Sequence, residues 1–362
     1  MCRSLQSKGI DVLLATTSAG IDLNGIDTSR PTDYKQVPTL FFPSQWGKSF
    51  KYSRPLSVWL DENVADFDLV HVHAVFNHAC ISAGRSCRKQ QVPYVVRPLG
   101  TLDPWGMQQK RLMKRTFWHV SGKRMLSGAS AVHYTTRAEK EAAEQSLKLN
   151  HGNVVPLGID FELSDSILTD DSTTNQPPHN PYVLVLSRLH PQKGLEILID
   201  AFADVTRQEQ FNHWRLVIAG DGPEEHVKVL KKQAAVSSGN RVLFPGWLGG
   251  EDKKLFLRRA SLLALPSYRE SFGLCVLEAL TCGVPVIVGP GVNLSEAVAA
   301  AGAGWISDLD RKALAVILEQ VLSSESERKL RGQAGKAMAA RFAWPQVADE
   351  LVAMYSKVLA EK

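Results

Sequence analysis

Short runs of β-branched and aliphatic residues alternate with helical patterns along the whole chain, the rhythm of βαβ units and parallel sheets. In the first half the strand candidates are residues 11–16, 69–73, 94–97, 130–133 and 154–156. In the second they are 182–187, 215–219, 242–244, 262–265, 284–288 and 304–306, separated by helical patterns over 195–207, 224–236, 253–260, 274–280 and 312–322. Residues 169–181, TDDSTTNQPPHNP, lack large apolar side chains and are rich in Pro, Ser, Thr and Asn, the composition of a linker. The expected fold is therefore α/β: one doubly wound domain over 1–168, a hinge over 169–181 and a second such domain over 182–343. Ligands of doubly wound sheets bind outside the carboxyl ends of the strands. Two such sheets facing each other place a site in the crevice between them.

The beginning breaks the pattern. Residues 4–9 read as the last turn of a helix and 10–16 as the strand after it, whereas a doubly wound sheet normally starts with its central strand. An element of the first domain is expected to be missing upstream, which leaves two inner strand edges unpaired.

Composition narrows the class. Of 362 residues, 44% are hydrophobic and 22% charged, which excludes collagen-like, low-complexity and disordered chains. No apolar run approaches the ~18–20 residues of a membrane-spanning helix, and no basic stretch followed by an apolar core opens the chain. Five cysteines, Cys2, Cys80, Cys87, Cys275 and Cys282, form no CxxC pair. Reduced thiols in a cytoplasmic protein are the expectation. Residues 1–160 hold 20 basic and 13 acidic side chains, and between Arg85 and Arg124 ten cations face only Asp103. Such an excess calls for an acidic partner; with no nucleic-acid reader motif, nucleic acid is not expected.

The strongest chemical signals lie in the second half. Arg188 and Lys193 sit where a strand ends and a helix begins, around a Pro-containing turn, a place suited to phosphate groups. Two solvated loop cations are the plainer alternative, and the one preferred for Lys254 and Arg259. Gly220-Asp221-Gly222-Pro223 makes a tight strand-to-helix corner that lets backbone approach a ligand. In PSYRESFGLCVLE, Glu270 stands at the mouth of a helix opened by Ser271-Phe272-Gly273-Leu274, and Glu278 lies on that helix's flank. Unpaired amides at the helix start can bind phosphate or sugar oxygens. A carboxylate suits a ribose diol or sugar hydroxyls, although pairing with the helix dipole explains Glu270 equally well.

The order SRLHPQKG, IAGDGPE, LFPGW and LPSYRESFGLCVLEALTCGVPVI resembles the second domain of retaining GT-B glycosyltransferases of family 4, over roughly residues 182–288. The resemblance implies sugar transfer from a UDP- or GDP-sugar to a glycan or lipid-linked acceptor, in polysaccharide or glycolipid synthesis, with no cofactor. It implies that Arg188 and Lys193 neutralise the donor diphosphate, Glu278 holds the ribose and Glu270 the transferred sugar. Ser271, Phe272, Gly273 and Leu274, with Gly220, Gly222 and Gly246, complete the donor site, and Phe244–Trp247 lies near the base. The helix from Trp344 crosses back to the first domain in this fold, and the element expected to be missing from that domain is, by the same resemblance, its first strand and Gly-rich loop. A departing diphosphate needs a metal or fixed cations. Asp66-Phe67-Asp68 precedes a strand and Asp308-Leu309-Asp310 opens a helix, so both read as structural and no metal is expected. Glu270 and Glu278, assigned to binding, do not form a glycosidase pair.

The first domain matches less well. His73, at a strand's carboxyl end in register with His71, is expected to face the crevice, with His78 on the next helix; histidines satisfied inside the domain are the alternative. Leu99 stands where many relatives carry His, leaving Arg97 as the closest polar group and Asp103 as an acceptor-side base or an N-cap. Residues 105–126 interleave Lys110, Arg111, Lys114 and Arg115 with Trp105, Leu112, Met113, Phe117 and Trp118. That pattern fits peripheral contact with an anionic membrane or a core helix with a solvated basic face. A sugar-nucleotide-binding protein without catalysis, or another GT-B enzyme such as an epimerase, are the alternative functions.

Overall fold

The computed structural model describes residues 1–47, 50–102, 116–160 and 175–361. The chain divides into two compact units, Met1–Gly158 with Trp344–Lys362, and Ile159–Ala343.

Unit 1 contains α1 (Cys2–Gln6), β1 (Leu14–Thr17), β2 (Thr32–Tyr34), β3 (Val37–Phe42), α2 (Arg54–Asn63), β4 (Val70–His73), α3 (His78–Gln90), β5 (Tyr94–Arg97), α4 (Lys123–Ser127), β6 (Ala131–Tyr134), α5 (Arg137–Leu147) and β7 (Gly152–Val154). Strands β4-β5-β6-β7 form one parallel sheet. A second sheet, β1-β3-β2, pairs β1 with β3 in parallel and β2 with β3 antiparallel. Among the described residues these are separate sheets, and the outer sides of β1 and β4 carry no ladder partner.

Successive residues of a strand face opposite ways, and this splits the core. Val96 and Val132 pack with Leu56, Leu60 and Met125 on one side. Val95 and Ala131 pack on the other with Val347, Leu351 and Val358 of the C-terminal helix (Trp344–Ala360). That helix therefore covers one face of the β4–β7 sheet. Helices α2 and α3 are capped by Ser53 and Asn77, whose side chains accept from the Leu56 and Cys80 amides. The β2–β3 hairpin and α2 are not anticipated by the sequence reading. Lys35 and Gln36 both take positive φ, 55° and 65°, the backbone a two-residue hairpin turn needs without the Asn-Gly that usually signals it.

Unit 2 contains β8 (Tyr182–Leu186), α6 (Leu195–Thr206), β9 (Arg215–Ala219), α7 (Glu224–Ser238), β10 (Val242–Gly246), α8 (Gly250–Arg259), β11 (Leu262–Leu265), α9 (Leu274–Thr281), β12 (Val286–Val288), α10 (Ser295–Ala300), β13 (Gly304–Ile306), α11 (Arg311–Ser323) and α12 (Glu325–Ala340). All six strands are parallel, in the order β10-β9-β8-β11-β12-β13. Strands covered on both faces read as continuous apolar runs, as YVLVL in β8 and LLAL in β11 do. Asp310 caps α11, its carboxylate accepting from the Lys312 and Ala313 amides at 2.9 and 3.0 Å, which is the structural reading expected of it.

Residues 169–174 of the expected linker and 103–115 of the basic stretch, with Asp103, lie outside the described residues. Where that stretch is described, Phe117 packs on Phe76 with ring centroids 5.1 Å apart, and Met125 and Leu126 are buried. Among the described residues no helix is long and apolar enough to cross a membrane.

Candidate functional site

In unit 2 the strand order reverses between β8 and β11, the switch point outside whose carboxyl ends such sheets bind ligands. Two loops meet there, 187–194 after β8 and 266–273 after β11. The first lies on the corner after β9: the Leu189 amide donates to the Asp221 carbonyl at 2.8 Å. This close approach is why glycine occupies 220 and 222. A Cβ on Gly220, whose φ is 142°, would run into the Ser187 carbonyl oxygen, and one on Gly222 into that of Leu189. Gly220→Ala is expected to cost roughly 2–4 kcal/mol of stability, read as a lower urea midpoint for unit 2.

The two loops are tied to each other. His190 caps the turn Pro191–Lys193, its Nδ1 accepting from the Gln192 amide at 3.3 Å, and the Tyr268 amide donates to the Gln192 carbonyl at 2.9 Å. Glu270 is held by its own backbone: its amide donates to Gly291 at 2.9 Å and its carbonyl accepts from Asn293 at 3.1 Å. The result is an ion pair between Lys193, only 7% exposed, and Glu270. A second pair joins Lys253 of α8 to Glu278 of α9, Nζ to Oε1 at 2.6 Å. Arg188 and the buried Ser187 hydroxyl have no hydrogen-bond or ion-pair partner among the described residues.

These groups line a pocket of 320 Å³. It brings together Arg188, Lys193, Gly220, Glu270, Gly273, Leu274 and Glu278, as expected of one site. Ser271, Phe272, Gly222 and Gly246 do not line it. Ser271 offers its carbonyl to Asn293, and Phe272, 4% exposed, packs against Phe342. Gly222 serves the Leu189 contact. Lys253 is the residue the sequence reading missed, because nothing in GEDKKLF separates it from Lys254, which pairs with Glu251 on the surface. Trp247, 71% exposed, stands at the rim. Burial and the Glu270 and Glu278 carboxylates push the Cys275 thiol up to about 12, so it is no nucleophile at neutral pH.

Unit 1 answers the histidine question differently. His73 does not stand alone: its ring centroid lies 4.5 Å from that of His71. His71 Nδ1 is 2.7 Å from the Tyr355 hydroxyl, His71 Nε2 is 3.2 Å from His133 Nδ1, and His133 Nε2 is 2.8 Å from the Val155 carbonyl. The carbonyl can only accept, so His133 Nε2 donates, His133 Nδ1 accepts from His71 Nε2, and Tyr355 donates to His71 Nδ1. The relay is satisfied when every ring is neutral. Burial accordingly lowers the histidine pKa values, to about 3 for His73 and about 4 for His133. His78 begins α3 and accepts from the Ser53 amide at 3.2 Å. Arg97 ends β5, opposite His73 in register.

Residues 1–158 match the family described as glycosyl transferase 4-like domain, and 168–338 match glycosyl transferases group 1. The D-inositol 3-phosphate glycosyltransferase of Salinispora tropica is 30% identical over 192 residues, covering 51% of this chain and 40% of that protein. That of Segniliparus rotundus is 30% identical over 216 residues, 57% of this chain and 47% of it. The chain thus spans less than half the length of these relatives. Among solved structures, sucrose-phosphate synthase from Thermosynechococcus elongatus superposes with a TM-score of 0.73 at 21% identity, covering 100% of this chain and 92% of that one. Anabaena HepE, in complex with UDP and glucose, gives 0.73 at 21%, covering 98% and 95%. A glycosyltransferase from Rickettsia africae gives 0.76 at 15%, covering 100% and 93%. The fold is that of GT-B glycosyltransferases, two Rossmann-like domains. The chain belongs to the glycosyl transferases group 1.

Proposed function

We propose that the protein transfers a sugar from a UDP- or GDP-sugar to a glycan or lipid-linked acceptor, with retention and without a metal. The observation that carries this is the pair of cations at the β8 switch point, Arg188 unpartnered and Lys193 buried beside Glu270. Cleavage of a glycosyl–diphosphate bond places charge on the leaving group, and cations already in place, the exposed Arg188 and the buried Lys193, stabilise it. Lys193 has three N–H donors; with one held by Glu270, the others remain for phosphate oxygens. The α9 N-terminus, opened by Gly273 at φ 88°, adds backbone amides to the same pocket. Glu278 suits the ribose diol, with Lys253 fixing its carboxylate. Glu270 then accepts from hydroxyls of the transferred sugar. HepE, solved with UDP and glucose, supports a UDP-sugar as the first donor to try. The leaving diphosphate, on the acceptor's side of the sugar, takes the acceptor proton.

The test is incubation of the chain with UDP- and GDP-sugars and a panel of glycan and lipid-linked acceptors, in excess EDTA, with the product anomer read by NMR. Turnover with the donor's anomeric configuration is expected; an inverted product, or activity that vanishes with chelation, overturns the corresponding part of the reading. Glu278→Ala should weaken UDP or GDP binding ~10-fold, the value of a lost charge-assisted hydrogen bond, measured by calorimetry.

A further inference from the structure

Arg97 is buried in unit 1, 7% exposed at the carboxyl end of β5. Its guanidinium makes no hydrogen bond or ion pair among the described residues, and Nε is enclosed with no partner at all. The carboxylate whose field reaches it is Glu139, 4% exposed. Both oxygens of Glu139 are already committed: Oε1 accepts from the Gly100 amide at 2.7 Å, and Oε2 from the Thr135 amide and hydroxyl at 2.8 and 2.7 Å. The remaining neighbours are neutral: burial and the Arg97 charge itself disfavour protonation of His71, His73 and His133. Tyr355, the last group in its field, donates to His71.

A guanidinium stays charged in any protein environment and presents five donors in a planar fork. Buried charges in folded proteins are paired; one left without a counter-ion is destabilising and calls for an explanation. Glu139 meanwhile fixes the loop after β5, where Leu99 is held at φ 58° and Gly100 at φ 69°. A preshaped loop beside an unpartnered buried cation is what an anion site looks like before its ligand arrives.

We propose that Arg97 anchors an oxyanion site on unit 1, which takes a phosphate or carboxylate carried by the acceptor. The word acceptor rests on the glycosyltransferase reading; the anion site itself does not. The donor diphosphate has its own cations, Arg188 and Lys193 on unit 2, so this is a second anion. Arg97 is a binding residue for that group, and the acceptor class it implies is an acidic or phosphorylated saccharide or a phosphate-linked one, rather than a neutral sugar.

The experiment is a thermal-shift and calorimetric comparison of the full chain with its Arg97→Met and Lys193→Met variants. The probes are inorganic phosphate, glucose 6-phosphate, glucuronate, glucose and UDP. Glucose 6-phosphate or glucuronate should bind the native chain where glucose does not, and the stronger of the two identifies phosphate or carboxylate as the group. That binding, and the matching part of the inorganic phosphate response, should weaken at least ~10-fold in Arg97→Met and persist in Lys193→Met. UDP should behave in the opposite way. Ligand-free Arg97→Met should be at least as stable as the native chain, because removing an uncompensated buried charge relieves strain on the fold. Anion binding that survives Arg97→Met, no anion binding by the native chain, or a marked loss of stability in Arg97→Met would each overturn the proposal. Failure of UDP to bind would count against the donor reading alone.

Discussion

Lys193→Met is expected to lower kcat/KM for transfer by ~10²–10³-fold, the cost of removing one prepositioned charge stabiliser. Lys193 is the buried cation of the switch-point pocket, paired with Glu270. The substitution leaves the Glu270 carboxylate, a quarter exposed, without its partner. Breaking a buried pair destabilises by ~3–5 kcal/mol when the remaining charge is uncompensated, so loss of activity could reflect unfolding alone. The double variant Lys193→Met with Glu270→Gln separates the two causes. It removes both charges, so stability should largely recover, while UDP affinity should stay lost. If UDP affinity returns with stability, the pair is structural and Lys193 does not touch the diphosphate. Glu270→Ala alone should also abolish transfer, but with UDP binding retained, since this carboxylate is assigned to the sugar and not the nucleotide.

The second large effect is on stability. His73 and His133 keep folded pKa values of about 3 and about 4 against 6.5 when unfolded, and His71 is lowered well below that same reference. The unfolded chain therefore takes up protons below pH 6.5 that the folded chain refuses, and stability falls as the pH falls. The full stabilisation is present above 6.5 and declines toward the folded values. At pH 5 His73 and His133 each contribute ~2 kcal/mol of destabilisation, from about 1.36 kcal/mol per pH unit, and His71 acts in the same direction. Urea unfolding followed from pH 7.5 to 5 should show the unit 1 transition moving to lower midpoints. A flat profile, or ring titration near 6.5 by NMR in the folded state, is incompatible with the relay. Tyr355→Phe, which deletes the donor to His71 Nδ1, should leave that nitrogen unpaired and open the relay at its C-terminal-helix end.

Much of unit 2 is legible without coordinates. Its strands are buried on both faces, so β9, β11 and β13 start and stop where the apolar runs do. Arg188, Lys193, Glu270 and Glu278 could be grouped because parallel strands put their following loops at one end of the sheet. Unit 1 was harder. The β2–β3 hairpin turns through Lys35-Gln36, residues that adopt positive φ only because the flanking strands impose it. Helix α2 begins at Ser53-Arg54-Pro55, a capped start with Pro in its first turn that is detectable in principle but not marked by a strong apolar stripe. His73, for which a place at the crevice and a place satisfied inside the domain were both open, packs on His71, itself bonded to a residue 284 positions away.

Alternation of apolar and polar residues is a local property, so the chain's own order of side chains determined the α/β class, the parallel strands and the loops that carry charge. Partnership is not local. Whether Lys253 meets Glu278, whether His71 and His133 share one relay, and whether Arg97 is left without a counter-charge were decided only when distant segments packed. Burial then set the cost of every unmatched proton and charge.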